Sequence, residues 1–161
     1  MSDKYLMATV REVIRETSDA HTLVFEKPAD SFHYESGQFL TLLFSIDGQQ
    51  VRRSYSLCTC PITDRYPAIT VKRVSGGLVS NYICDTIKPG DKIEIQSPAG
   101  VFTLKKAERK KALFLAGGSG ITPVMGMLRE ALHRNLYDNI ELVYANRNEQ
   151  SIIFKESLAD L

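Results

Sequence analysis

Through its first hundred residues the chain falls into short apolar-rich runs of strand character, one of them alternating apolar and polar positions up to Arg53-Ser54-Tyr55-Ser56, with Gly, Pro, Asp or Ser between the runs. Six runs read as strands: Tyr5 to Glu16, His21 to Phe25, Gly37 to Phe44, Val51 to Cys58, Ala68 to Arg73 and Asp91 to Ile95. Asp47-Gly48 is a turn signal between the third and fourth, and Pro89-Gly90 precedes the last. Short strands at this spacing predict a closed antiparallel barrel. One helix interrupts them, Leu78 to Ile87, introduced by Ser75-Gly76-Gly77.

The pattern changes near Ala107. After the charged stretch Glu108 to Lys111 come a strand (Ala112 to Ala116), a glycine loop, and a helix from Pro123 to His133 with one apolar stripe. A second strand (Ile140 to Tyr144) and a helix starting at Ser151 follow. Strand–helix–strand–helix predicts the opening of a parallel α/β sheet. The expected division is residues 1–106 for the barrel and 107–161 for an α/β unit.

Composition narrows the function classes. With 43% hydrophobic and 24% charged residues, a packed core is expected rather than disorder. A formal net charge of +1 gives no global basic field for nucleic acid or an anionic membrane. No apolar run approaches the roughly 20 residues of a membrane helix, and none follows the N-terminus as a signal core. Cys58, Cys60 and Cys84 form no CxxC and are read as small core residues, so no metal site is expected and the compartment is reducing cytoplasm.

Two stretches carry chemistry. In Arg53-Ser54-Tyr55-Ser56, strand spacing places Arg53 and Tyr55 on one face and Ser56 on the other. A flavin needs a flat surface, a cation for its phosphates and a donor near the redox edge of its ring; Tyr55, Arg53 and Ser56 supply these. Downstream, Gly76 and Gly77 let the backbone approach an anion at the N-terminus of the helix that begins Leu78-Val79-Ser80, with Lys72 and Arg73 adding positive potential. The second stretch, Gly117-Gly118-Ser119-Gly120-Ile121-Thr122-Pro123, follows a strand and feeds a helix, which makes it a phosphate seat. It is not a full GxGxxG, because Pro123 takes the third glycine's place; Thr122 is expected as N-cap and Pro123 in the first turn. The matching strand end, Tyr144 to Asn148, carries Arg147 and no acid before Glu149. An Arg there accepts a ribose 2′-phosphate, which favours NADPH over NADH; a solvated loop arginine accounts for it equally well.

In order and separation, Gly37-Gln38-Phe39, Arg53-Ser54-Tyr55-Ser56, Gly76-Gly77-Leu78-Val79-Ser80 and Gly117 to Pro123 resemble the ferredoxin–NADP reductase superfamily over nearly the whole chain. Arg53-Ser-Tyr-Ser-Leu-Cys-Thr59 is most similar to its ferredoxin-fused branch, such as the phenylacetate-degradation reductases. The resemblance implies an antiparallel barrel holding FAD and an α/β domain holding NADPH or NADH. It implies Arg53 on the pyrophosphate, Tyr55 on the flavin and ribityl chain, and Ser56 at the redox edge. Leu78, Val79 and Ser80 become backbone and hydroxyl donors to the phosphates, and Thr122 lies between nicotinamide and flavin. Ser56 and Thr122 are thus the expected catalytic pair.

Electrons would pass from NAD(P)H through FAD to an iron–sulfur centre, in a ferredoxin-like protein or an oxygenase. Family members continue further, with a late Cys-Gly-Pro-type segment and often a 2Fe-2S domain, so any cluster would sit in an absent C-terminal domain or a partner. Two parallel strands and one and a half helices cannot cover both faces of a sheet. The expectation is therefore a C-terminally truncated fragment, or a half-domain completed by exchange with a second copy through residues 112–161. Leu142, Val143, Ile152, Ile153, Phe154 and Leu158 would supply the uncovered apolar surface. The competing readings are a flavin-binding module without turnover and a cofactor-free barrel used for association.

Overall fold

In the computed structural model, which describes residues 5–104 and 111–161, eight strands and three α-helices form two units. The strands of the first are β1 (Tyr5–Arg15), β2 (Ala20–Phe25), β3 (Phe39–Ile46), β4 (Gln49–Ser56), β5 (Ala68–Lys72) and β6 (Lys92–Gln96). They make one antiparallel sheet in the order β4-β3-β6-β1-β2-β5. β1 serves two neighbours: Tyr5 to Thr9 pair with β6, and Val10 to Arg15 with β2, with the register shifting between Val10 and Glu12. Such a bulge bends a strand and lets the sheet curl. β3 and β4 are joined by Asp47-Gly48, both at positive φ (51° and 76°), as a tight hairpin turn requires.

The barrel closes just beyond β4. The Leu57 N–H donates to Gln38 O (2.8 Å) and Leu57 bridges Ile69 of β5, while the Cys58 N–H donates to Ala68 O (2.9 Å). The chain thus leaves β3 and crosses to the opposite edge of the sheet. Strand character ends at Ser56, short of the expected Cys58, because this handover takes up the next residues. Inward positions of the strands fill the core with Ala8, Val10, Leu23, Phe25, Leu40, Leu42, Ile69, Val71, Ile93 and Ile95. Burying each larger side chain contributes about 1.5–3 kcal/mol. α1 (Leu78–Thr86) plugs the barrel with Val79 and Ile83, and Tyr82 meets Phe44 edge-on at 5.5 Å.

The second unit comprises β7 (Lys111–Gly117), a 3-10 turn at Gly118–Gly120, α2 (Ile121–His133), β8 (Asn139–Ala145) and α3 (Lys155–Ala159). β7 and β8 pair in parallel from Lys111↔Asn139 to Gly117↔Ala145. The expected boundary at 106/107 and residues 108–110 of the charged stretch lie outside the described residues.

Two expectations need correcting. α2 starts at Ile121, and its N-cap is Gly120, not Thr122. Gly118, at φ +49°, opens a 3-10 turn that runs straight into the helix, so Thr122 is already helical; its hydroxyl donates to Ser119 O at 3.0 Å. The helix expected from Ser151 begins only at Lys155. Asn148 and Ser151 exchange side-chain bonds that close a 3-10 turn, and Phe154 then takes a left-handed conformation (φ +62°). That reversal buries Ile153 and Phe154 against α2 and the barrel residues Ala20, Cys58 and Ala68 in a second core. Leu142, Ile152 and Leu158 are half-buried. Of the six expected, only Val143 of β8 is exposed, and it shares the exposed apolar face with Leu113 and Leu115 of β7. Among the described residues no helix is long and apolar enough to cross a membrane.

Candidate functional site

The first seat lies on β4, at the edge of its sheet. Leu42 faces Arg53 across the β3–β4 ladder and Leu40 faces Tyr55, so both side chains project on the face that carries the core. Ser54 lies on the other face, its hydroxyl 2.8 Å from that of Thr41, and Ser56 follows there opposite Phe39. Tyr55 is half-buried against the core, and burial pushes its phenol up to about 12, opposed by the Arg53 charge. Arg53 is exposed; its Nη1 donates only to the neighbouring Arg52 O at 2.8 Å, and among the described residues it makes no ion pair.

α1 packs against β4 and β5, and its N-terminal end is shaped for close approach. A Cβ on Gly77 would sit 2.6 Å from Ser80 Oγ and 3.0 Å from the Val74 carbonyl oxygen, so a larger residue would crowd the Ser80 hydroxyl that holds this loop. No side chain caps this helix and its first turn holds no acid, which leaves the positive end of its dipole unopposed. Val79 anchors the turn in the core, whereas Leu78 and Gly76 are exposed. Ser80 departs from expectation: its hydroxyl is buried and accepts the Val74 N–H at 3.1 Å, so it holds the Gly76-Gly77 loop in shape. Arg73 is spent on Asp85 (2.5 Å) and Asn81 (3.3 Å), and holds the Asp85 carboxyl below its usual range. The FAD fit is therefore chemical: a guanidinium without an ion pair among the described residues, a half-buried ring, and an uncapped helix end approached through a closely packed glycine.

The second seat is an open cavity of about 430 Å³ at the carboxyl ends of β7 and β8. Gly117, Gly118 and Ser119 line it together with Arg147, and Lys72 of β5 joins them. Sequence reasoning grouped Lys72 with the α1 loop. The structure places it here instead, 3.6 Å from Asp19, because the end of β5 abuts the 118–120 turn. Arg147 is exposed and Gly120 opens α2 beside the cavity.

Two residues went unrecognised in the sequence. The Tyr144 hydroxyl donates to Gly118 O (2.9 Å) and accepts the Ile153 N–H (3.3 Å), tying the glycine loop to the segment after β8. Asn146 lines the cavity beside the Tyr144 hydroxyl, and its amide nitrogen and oxygen are buried with no partner at hydrogen-bond geometry among the described residues. A buried amide left unsatisfied costs about 1–3 kcal/mol and calls for a polar partner, a water or a ligand. Neither feature has a local signature, since each depends on segments brought together by the fold. A dinucleotide fits this set: a helix N-terminus, the exposed Arg147, Lys72 loosely paired with Asp19, and the Asn146 amide.

Comparison with known proteins agrees with this geometry. Residues 7–104 match the family model of the oxidoreductase FAD-binding domain, and residues 114–161 that of the oxidoreductase NAD-binding domain. The ferredoxin reductase component of 3-ketosteroid-9-alpha-monooxygenase from Rhodococcus rhodochrous is 46% identical over 160 residues, covering 97% of this chain and 45% of that protein. The reductase of the glycine betaine monooxygenase from Pseudomonas aeruginosa is 38% identical over 157 residues, covering 96% of this chain and 42% of that one. The chain thus spans less than half the length of these relatives.

Among solved structures, phthalate dioxygenase reductase superposes with a TM-score of 0.85 at 29% identity, covering 98% of this chain and 48% of that one. A ferredoxin NADP+ reductase from Neisseria gonorrhoeae with bound FAD and NADP shares the fold (TM-score 0.87, 22% identity, 99% and 65% coverage). Barrel, glycine loop and both family matches lead to one assignment: the chain belongs to the ferredoxin–NADP reductase superfamily of flavin-dependent NAD(P)H oxidoreductases.

Proposed function

We propose that this chain forms the flavin seat and part of the pyridine-nucleotide seat of a reductase that passes electrons from NAD(P)H through FAD to an iron–sulfur protein or oxygenase. The observation that carries the reading is the glycine-loop cavity, where the orphaned Asn146 amide shares space with Lys72 and Arg147. Bound FAD supplies the chemistry, taking up a hydride and releasing electrons one at a time.

The chain's own residues bind and orient. Arg53 neutralises the pyrophosphate, and the backbone of Gly76 to Ser80 receives it at the α1 N-terminus. Tyr55 presents its ring to the flavin, and Ser56 donates a hydrogen bond at the redox edge. Gly117 to Gly120 hold the dinucleotide phosphates, and Thr122 stands where nicotinamide meets flavin. Arg147, with no carboxylate for a ribose diol among the lining residues of the cavity, favours the 2′-phosphate of NADPH. The named relatives, reductase components of oxygenases, support an acceptor of that class.

The test is reconstitution of the purified chain with FAD, followed by NADPH and NADH titration with an artificial electron acceptor. Saturable FAD binding is expected, with weak NADPH-dependent turnover because only part of the nucleotide seat is present. Flavin binding without turnover supports the bare binding module, and no saturable flavin binding supports the cofactor-free barrel.

A further inference from the structure

The two seats are joined by a short piece of chain that neither one uses. Leu57 to Asp64 starts at the residue after Ser56. It is braced on the barrel side: Thr59 Oγ1 lies 2.7 Å from the Tyr34 hydroxyl and accepts the Ala68 N–H, and Asp64 Oδ2 accepts the Cys60 N–H at 2.8 Å. On its outer side it meets α2. A Cβ on Gly126 would lie 2.6 Å from Thr59 O, so helix and segment are in backbone contact. One helical turn further on, Arg129 Nη1 donates to Asp64 Oδ1 at 2.8 Å, both side chains about a quarter exposed.

Thr122, Gly126 and Arg129 stand at i, i+4 and i+7, so they form one stripe along α2. The stripe runs about 10 Å at 1.5 Å per residue. Its lower two members grip the segment that follows Ser56, and its head is Thr122, which is buried. One rigid helix therefore connects the grip to the nucleotide seat, and three residues connect it to the flavin seat.

We infer that Asp64, Gly126 and Arg129 are positioning residues that set the spacing and angle between the two cofactor seats, and hence the approach of nicotinamide to flavin. The inference rests on the proposed function for its cofactors, but the grip itself does not. A methyl on residue 126 pushes α2 away from Thr59 by roughly 0.5–1 Å to restore ordinary contact, and a misplacement of that size costs on the order of 10²-fold in a transfer step. Loss of the Arg129 charge releases the same helix at its second contact.

The experiment compares the unsubstituted chain with Gly126→Ala, Arg129→Met and the conservative Arg129→Lys. Amide hydrogen exchange, which needs no cofactor, is expected to be at least tenfold faster in 57–64 and 121–129 for Gly126→Ala and Arg129→Met. The amides of β1 to β6 should keep their rates, and Arg129→Lys should match the unsubstituted chain. FAD affinity should stay within twofold throughout. Stopped-flow reduction of the bound flavin by NADPH should slow 10- to 100-fold, with half-saturation moving less than threefold. Unchanged exchange in both variants overturns the proposal. So does acceleration spread evenly over β1 to β6, or reduction at the unsubstituted rate despite loosened exchange. If the unsubstituted chain binds no FAD, the functional reading fails, and the exchange comparison still decides the grip.

Discussion

Removing the Arg53 guanidinium should weaken FAD binding through the phosphates alone. Arg53 is exposed and bonded only to the Arg52 carbonyl, which water can satisfy in its absence, so little else is lost with it. A charge-assisted hydrogen bond to phosphate is worth about 1.5–3 kcal/mol. At 1.4 kcal/mol per decade, Arg53→Ala should raise the Kd for FAD by roughly 10- to 150-fold. Arg53→Lys keeps the charge but loses the planar fork, and should fall between.

Two controls sharpen the measurement. Riboflavin has no phosphate, so its affinity should change less than twofold in Arg53→Ala. Arg52 pairs with Leu43 and so lies on the opposite face of β4; Arg52→Ala should bind FAD like the unsubstituted protein. The assay is titration of apoprotein followed by flavin fluorescence, at two salt concentrations, since a phosphate contact on an exposed arginine is screened by salt. Two results would refute the reasoning: an FAD Kd within twofold of the unsubstituted value, or equal losses for FAD and riboflavin.

Three other outcomes are expected. Gly37 has φ +97°, and a Cβ there would lie 2.1 Å from Phe102 O; Gly37→Ala should cost roughly 2–4 kcal/mol by denaturant titration, and an unchanged midpoint contradicts the close packing. Burial raises the Tyr55 phenol to about 12, from about 10 when unfolded. The folded state therefore resists ionisation: its advantage is complete below pH 10 and is lost as pH rises toward 12. Tyr55→Phe should lose less stability over that window, and parallel pH profiles would count against it. Finally, Leu113, Leu115 and Val143 form an exposed apolar strip on the β7–β8 sheet, 58%, 67% and 56% exposed. The chain is expected to self-associate through it, with Leu115→Lys shifting sedimentation toward monomer; a monomeric unsubstituted chain rules this out.

The barrel was readable because its signals are local. The buried apolar run of β3, the short strand run of β6 and the Asp47-Gly48 turn signal announce their elements without reference to anything distant. The glycine loop was readable for the same reason. What escaped depends on neighbours far along the chain. Lys72 ends a barrel strand, but the cavity it lines is completed by a turn some forty-five residues later. Tyr144 looks like one more apolar strand residue until Gly118 and Ile153 arrive at its hydroxyl. The start of α2 was misplaced because Thr122 and Pro123 suit a cap and first turn, yet Gly118's left-handed backbone begins the coil sooner. Ile153 and Phe154 read as helix because nothing in their own composition announces the reversal at Phe154.

The double allegiance of β1 has a consequence for how the chain assembles. Its second half finds β2 at once, across a short turn, while its first half must wait for β6, where Tyr5 meets Gln96. Long loops close slowly, so the β1–β6 register forms late, after the β3–β4 hairpin. During synthesis, Tyr5 to Thr9 leave the ribosome as an open strand edge and stay so until nearly the whole barrel has followed. Pulsed amide labelling during refolding should protect β3 and β4 before residues 5–9; simultaneous protection would mean that the barrel closes in one step. The same strand that makes the finished barrel continuous is thus the one whose newborn form most needs shielding from other chains.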